Sequence, residues 1–98
     1  MHQFPINASI QLIPIDAAEN AMPQIDKAIA LIQQSGLHYE VGPFGTTVEG
    51  GYEKVGQLIT AINNMMNEAA TVEWVLNVQF HIKPEAAVTM QEKVSKHR

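Results

Sequence analysis

The fold is decided within residues 35–50, which read SGLHYEVGPFGTTVEG. Gly36 follows an apolar-periodic segment, at the place where a helix end favours a residue with positive φ. Apolar and polar side chains then alternate over residues 37–41, which predicts a half-buried strand. Residues 42–45 are typical of a tight turn, and the β-prone residues 46–49 predict a second strand. A helix end followed by a β-hairpin is therefore predicted.

Glu49 closes the second strand of this hairpin and precedes Gly50 and Gly51. A carboxylate at the end of a central strand can be partly desolvated, and it then requires a hydrogen-bond donor or a cation. Glycines beside it allow the backbone to approach a ligand closely. Glu49 is therefore the first candidate for ligand binding, with a surface glutamate at a hairpin end as the alternative.

The residues before the hairpin predict a strand and a helix. Apolar and polar residues alternate over residues 6–12, and Pro14 closes this run. Residues 16–20 form a polar entry, after which apolar residues recur at helical spacing over residues 22–32. Pro23 is compatible with this helix because we expect it in the first turn, where its missing N–H is tolerated.

The residues after the hairpin predict a second helix, a long strand and a tail. Apolar residues recur at helical spacing over residues 55–69, and strict alternation over residues 72–83 predicts a strand of about twelve residues. Residues 84–98 predict a short helix that frays toward its end. The order β-α-β-β-α-β predicts a ferredoxin-like α+β sandwich, with a four-stranded antiparallel sheet and two helices on one face. We expect one such domain over residues 1–98.

Charge and composition exclude several classes of function. The formal net charge of the 98 residues is −4, and Arg98 is the only arginine, so no basic patch for nucleic acid is present. An acylphosphatase-type enzyme would need an arginine near the first loop, and this chain has none there. The chain has no cysteine, which excludes thiol catalysis and Cys-ligated metal sites. Its four histidines lack a metal-ligand spacing, and no nucleophile and base pair stands out, so no metal, cofactor or catalytic residue is predicted.

The first residues and the hydropathy of the chain predict where in the cell the protein lies. Residues 1–5 lack a basic segment followed by an apolar run, and no stretch approaches the roughly 18 apolar residues of a membrane span. We therefore expect a soluble, cytoplasmic protein that does not bind membranes.

The pattern Ser-Gly-Leu-x-Tyr-x-x-Gly-Pro-x-Gly-Thr-x-Val-Glu-Gly over residues 35–50 resembles the signature of the small thiamine-binding family. These are the MTH1187/YkoF-like proteins, once catalogued as a domain of unknown function. The resemblance extends to the first strand and through the last one, so it covers most of the chain. It implies a non-enzymatic protein that binds thiamine or its hydroxymethylpyrimidine moiety as a carrier, buffer or sensor. It also implies symmetric dimers that associate into tetramers.

Five residues form the candidate ligand site that follows from this resemblance and from their chemistry. Glu49 would accept hydrogen bonds from the aminopyrimidine. The Thr46 and Thr47 hydroxyls are further candidates, unless they satisfy backbone groups near the turn. The Tyr39 ring could stack on a heterocycle or belong to the core. Gln11 would contribute from the first strand.

The sheet face opposite the helices gives a second hypothesis. It is predicted to be polar but hardly charged, which suits a small-ligand floor or a subunit interface; its residues are Asn7, Ser9, Gln11, Ile13, Glu73, Val75, Asn77, Gln79 and His81. The long apolar last strand also requires cover, from a second copy or from the tail of the same chain. We expect a homodimer or homotetramer. The alternative function is an oligomeric regulatory or interaction module that binds no small ligand.

Overall fold

The computed structural model describes residues 4–69 and 73–97. The predicted order of strands and helices is confirmed, and a short C-terminal helix and a 3₁₀ turn, Ser95–His97, follow it. The elements are β1 (Ile6–Pro14), α1 (Ala18–Gln34), β2 (His38–Val41), β3 (Thr46–Gly50), α2 (Tyr52–Glu68), β4 (Trp74–His81) and α3 (Met90–Val94). The fold is the predicted ferredoxin-like α+β sandwich.

The four strands form one antiparallel sheet in the order β2-β3-β1-β4. The central strands are β1 and β3, and β2 and β4 lie at the edges. Alternate residues of each strand point to opposite faces, so the register decides which side chains share a face. One face is covered by α1 and α2; we call the other the open face.

The core lies between the sheet and the two long helices. Each strand supplies its apolar alternate positions, and each helix supplies one apolar stripe. A fully buried aliphatic side chain of this kind contributes about 1.5–3 kcal/mol relative to an exposed one. The buried cluster consists of Ile6, Ala8, Ile10, Ala28, Ile32, Leu37, Val48, Val55, Leu58 and Ile62.

The start of α1 corrects the predicted position of Pro23. The Asp16 Oδ1 atom accepts hydrogen bonds from the Ala17 N–H at 2.7 Å and from Asn20 Nδ2 at 3.2 Å, and this organises the chain for a helix that begins at Ala18. Pro23 is therefore the sixth residue of the helix, beyond the first turn. The Glu19 carbonyl loses its usual donor four residues on. Both residues are exposed, so water can serve this carbonyl instead.

Two positions of the hairpin segment require glycine, each for a different physical reason. Gly36 has φ of +80° and ends the helix region as predicted. Gly50 leaves room for the core, because a Cβ atom at this position would overlap Leu37 Cδ2. The absence of a side chain at Gly50 thus allows Leu37 to pack. The sequence alone suggests a different reason for this glycine, namely close approach of the backbone to a ligand.

The last strand is shorter than predicted at its C-terminal end. It stops at His81, and the chain then turns through a bridge that pairs Lys83 with Ala86. Pro84 cannot donate to a strand ladder, which explains why the alternation does not continue as sheet. The predicted first residue of this strand, Val72, and the end of the tail at Arg98 lie outside the described residues.

The C-terminal segment, residues 88–94, crosses part of the open face. The Val88 N–H donates to the Pro5 carbonyl at 3.0 Å, and Val88 and Met90 are only 2% and 6% exposed. Met90 N–H donates to Glu49 Oε1 at 2.6 Å. Asn7 Nδ2 donates to the Val88 carbonyl at 3.1 Å. The tail thus covers one end of the open face within the same chain.

Gly50→Ala should lower the free energy of unfolding by about 1–3 kcal/mol, because the added methyl group overpacks the core at Leu37. Gly56→Ala is the matched control, since Gly56 lies within α2 and its new methyl group would meet no atom within 4 Å. The control should gain about 0.5–1 kcal/mol from helix propensity. Urea unfolding followed by circular dichroism measures both values. Equal losses in the two variants would contradict the packing role of Gly50.

Glu49→Ala should loosen the C-terminal segment, because it removes the acceptor of the Met90 N–H and of one Asn7 donor. Unpaired groups of this kind cost about 1–3 kcal/mol, so amide exchange at Met90 should accelerate about ten- to a hundredfold. Glu92→Ala is the control, because it removes a carboxylate from the first turn of α3 but leaves the acceptor of Met90 in place. Unchanged exchange at Met90 in the Glu49 variant would show that this carboxylate does not hold the segment.

Candidate functional site

The open face is arranged in rows that cross the sheet, with one side chain from each strand. The end row lies under the C-terminal segment and consists of His38, Glu49, Asn7 and His81. The middle row is its neighbour and consists of Glu40, Thr47, Ser9 and Gln79. Both rows follow from the antiparallel register, because directly paired residues point to the same face.

A cavity of about 720 Å³ lies over the middle row. Three of its walls come from different parts of the chain, namely the β2-β3 turn, the exposed end of β4 and the C-terminal segment. Its volume is within the usual range of small-molecule sites, about 300–1,000 Å³. The side chains and backbone that line it belong to Asn7, Ala8, Ser9, Glu40, Val41, Gly42, Pro43, Gly45, Thr47, Gln79, Phe80, His81, Met90, Lys93 and Val94.

The cavity combines hydrogen-bonding groups on its floor with apolar groups on one wall. Ser9 and Thr47 are direct neighbours on the central strands, and each hydroxyl can donate and accept. Gln79 adds an amide beside Ser9, and Glu40 adds a carboxylate beside Thr47. The C-terminal segment contributes the apolar side chains of Met90 and Val94, together with the ammonium group of Lys93. Such a lining suits a flat polar molecule with an apolar face.

Asn7 forms the part of the wall where the cavity meets the end row. Its side chain is 3% exposed, although it lies on the face without long helices. Asn7 Nδ2 donates to Glu49 Oε1 and to the Val88 carbonyl, each at 3.1 Å. These bonds join β1, β3 and the C-terminal segment, so Asn7 fixes the position of the end wall.

Three predicted site residues lie on the open face, in three different rows. Thr47 lines the cavity. Glu49 lies in the end row, where its Oε1 atom holds Asn7 and Met90, and it borders a separate groove beside His38. Gln11 lies on the other side of the middle row, and its Oε1 atom accepts from Asn77 Nδ2 at 3.3 Å. Of these three residues, Thr47 is the one that the structure places in the cavity.

The other two predicted site residues, Tyr39 and Thr46, lie on the face that the helices cover. Tyr39 pairs with Val48, and Thr46 pairs with Ile10, whose side chains belong to the core. Thr46 is 5% exposed. The alternation of the hairpin therefore separates them from Thr47 and Glu49, and the five candidates do not form a single site.

Several cavity residues are not among the five candidates that the sequence indicates. The sequence predicts Ser9 and Gln79 on the open face, but only the register brings them to Thr47 and Glu40. The contribution of Lys93 and its neighbours depends on where the C-terminal segment packs. Counting residues outward from the turn at positions 42–45 could have identified Glu40 as the partner of Thr47, because hairpin loop length fixes the register.

Residues 4–69 and 73–97 contain neither a metal-binding cluster nor a helix that could span a membrane. In these ranges no group of three or more His, Asp or Glu side chains is arranged to hold a metal ion. The described helices are each too short or too polar to cross a membrane.

Relatives of known structure share this arrangement over nearly the whole chain. A structure from Bacillus cereus of a domain of unknown function, DUF77, is 30% identical, has a TM-score of 0.88 and covers 97% of this chain and 91% of its own. A Thermotoga maritima protein, provisionally assigned to thiamine biosynthesis or salvage, is 33% identical and has a TM-score of 0.85. The match covers 96% of this chain and 99% of that protein.

Sequence comparison assigns the family. A UPF0045 protein of Clostridium perfringens is 30% identical over 92 residues, which are 94% of this chain and 96% of that protein. The family model described as thiamine-binding protein matches residues 8–98. Because this match includes all the strands and helices described above except the start of β1, the chain belongs to the thiamine-binding protein family.

Proposed function

We propose that this protein binds thiamine or its hydroxymethylpyrimidine moiety in the cavity over the middle row. The proposed role is that of a carrier, buffer or sensor, without catalysis. The observation that carries the proposal is that all four strands contribute a hydrogen-bonding side chain to one row beneath a cavity of about 720 Å³. Membership of the thiamine-binding family supports this ligand class.

The chemistry of the middle row matches the two rings of thiamine. An aminopyrimidine carries ring nitrogens that accept hydrogen bonds and an amino group that donates them. Ser9, Thr47 and Gln79 can each do both. The thiazolium ring is a cation, and the Glu40 carboxylate at the end of the row attracts it, as does the net charge of −4. The provisional assignment of the Thermotoga maritima relative points to the same vitamin.

A binding role is favoured over nucleophilic catalysis by the neighbours of Ser9. This hydroxyl is flanked by Thr47 and Gln79, and neither side chain takes up a proton near neutral pH. These two neighbours can therefore recognise donors and acceptors, but neither can act as the base that would activate this serine.

Thr47→Val should weaken thiamine binding about five- to twentyfold, because it removes a floor hydroxyl while keeping the β-branched shape. Thr46→Val is the matched control. It changes the adjacent residue in the same way, but on the face that the helices cover, so the affinity should stay within about twofold of the wild type. Isothermal titration calorimetry with thiamine and with hydroxymethylpyrimidine measures both. Absence of heat with either compound at millimolar concentration would reject the proposed ligand, and equal effects of the two variants would reject this site.

We also propose that the protein forms a homodimer or homotetramer through β4 and the uncovered end of the open face. The strand β4 lies at the sheet edge and pairs with β1. At the end away from the C-terminal segment, Val75 is 42% exposed beside the exposed Ile13. An edge strand with apolar side chains of this kind favours pairing with another chain.

Light scattering after size-exclusion chromatography should give a mass of two or four chains of 10.8 kDa at micromolar concentration. Val75→Lys or Asn77→Lys should lower that mass, because a charge would be buried in the interface without a partner. Asn64→Lys, on an exposed position of α2, is the control and should leave it unchanged. A wild-type mass of one chain would reject the oligomer. A stable oligomer that gives no heat with thiamine would favour an interaction module instead.

A further inference from the structure

The Asn7 side chain carries a buried acceptor that is not satisfied. Its Oδ1 atom is shielded from solvent and accepts no hydrogen bond from the described residues. A buried oxygen of this kind has lost its contact with water without gaining a donor in return. Only 3% of the surface of Asn7 is exposed. Asn7 therefore carries a buried acceptor for which residues 4–69 and 73–97 supply no donor.

The orientation of this amide is fixed by its own hydrogen bonds. Both protons of Nδ2 are used, one toward the Glu49 carboxylate and one toward the Val88 carbonyl. Each of these partners accepts and cannot donate, so rotating the amide by half a turn would place an oxygen against two oxygens. The Asn7 Oδ1 atom must therefore remain the acceptor.

Asn7 lies at the boundary of the cavity, and its Oδ1 atom is shielded behind that boundary. Asn7 belongs to the cavity wall, and the neighbouring Ser9 belongs to the floor. The same wall includes His81 and Lys93, which are exposed and can move aside as a ligand enters. A molecule lying over the middle row therefore borders Asn7 at one edge, and it reaches the shielded Oδ1 atom once these side chains have moved.

We propose that Asn7 Oδ1 accepts a hydrogen bond from the amino group of the bound pyrimidine and thereby selects an amino over an oxo substituent. This inference deepens the proposed function and depends on it. An oxo group at the same ring position would place an acceptor against a locked acceptor. Recognition by a preset buried group discriminates strongly, because the wrong ligand leaves that group unpaired.

The test compares thiamine with its 4′-oxo analogue, in which the amino group of the pyrimidine is replaced. The wild type should bind thiamine about ten- to a hundredfold more tightly, as expected when a buried acceptor remains unpaired. In Asn7→Ala, the ratio of the two dissociation constants should fall to within about twofold of one. Calorimetric titration of both compounds gives this ratio directly.

Glu49→Ala is the matched control for loosening of the C-terminal segment. It removes an anchor of the same segment but leaves Oδ1 and the bond from Asn7 Nδ2 to Val88 in place. Both affinities should decrease in this variant, whereas their ratio should stay near that of the wild type. A ratio that collapses equally in both variants would assign the selectivity to the segment and overturn the role of Asn7.

A measurement on the wild type does not depend on the folding of any variant. The side-chain ¹³Cγ resonance of Asn7 should shift when thiamine is added and shift much less with the oxo analogue. If both compounds bind equally well, Oδ1 does not contact the substituent of the pyrimidine, and this inference fails while the proposed function stands. If neither compound binds, the proposed function fails as well.

Discussion

The hydrogen bonds of Asn7 are the constraint on which the site depends. Through one buried amide they join a central strand, the carboxylate at the end of its neighbour and the backbone of the C-terminal segment. Bonds of this kind are stronger away from water, but they require every partner to be present. The C-terminal segment can therefore occupy one position on the sheet, and that position gives the cavity its end wall.

A ferredoxin-like sheet with helices on one side leaves its other face available for contacts with other parts of the chain, with a ligand or with a second copy. In this chain the C-terminal segment covers the end row, and the middle row remains open beneath the cavity. The opposite end keeps apolar side chains exposed, of which Val75 is one. The open face is thus divided into a part that fixes the tail, a part suited to a small ligand and a part suited to a second copy.

Glu49 illustrates how a residue can shape a cavity without lining it. Its position at the end of a central strand did predict a partly desolvated carboxylate that needs donors. Those donors are the Met90 N–H and the Asn7 amide, both from the chain itself. The carboxylate therefore positions the wall and the buried asparagine, whereas Thr47 and its row present groups to the cavity.

The sequence by itself determined the architecture, because helical and alternating periodicities, the turn at residues 42–45 and Gly36 act over short distances. It also determined the family through the motif at residues 35–50. Only the tertiary structure decided which polar residues meet. The register separates Thr46 from Thr47 by placing them on opposite faces, and it aligns Ser9 with Gln79, which lies seventy residues further along the chain. The path of the C-terminal segment depends on long-range hydrogen bonds to Asn7, which no local pattern encodes.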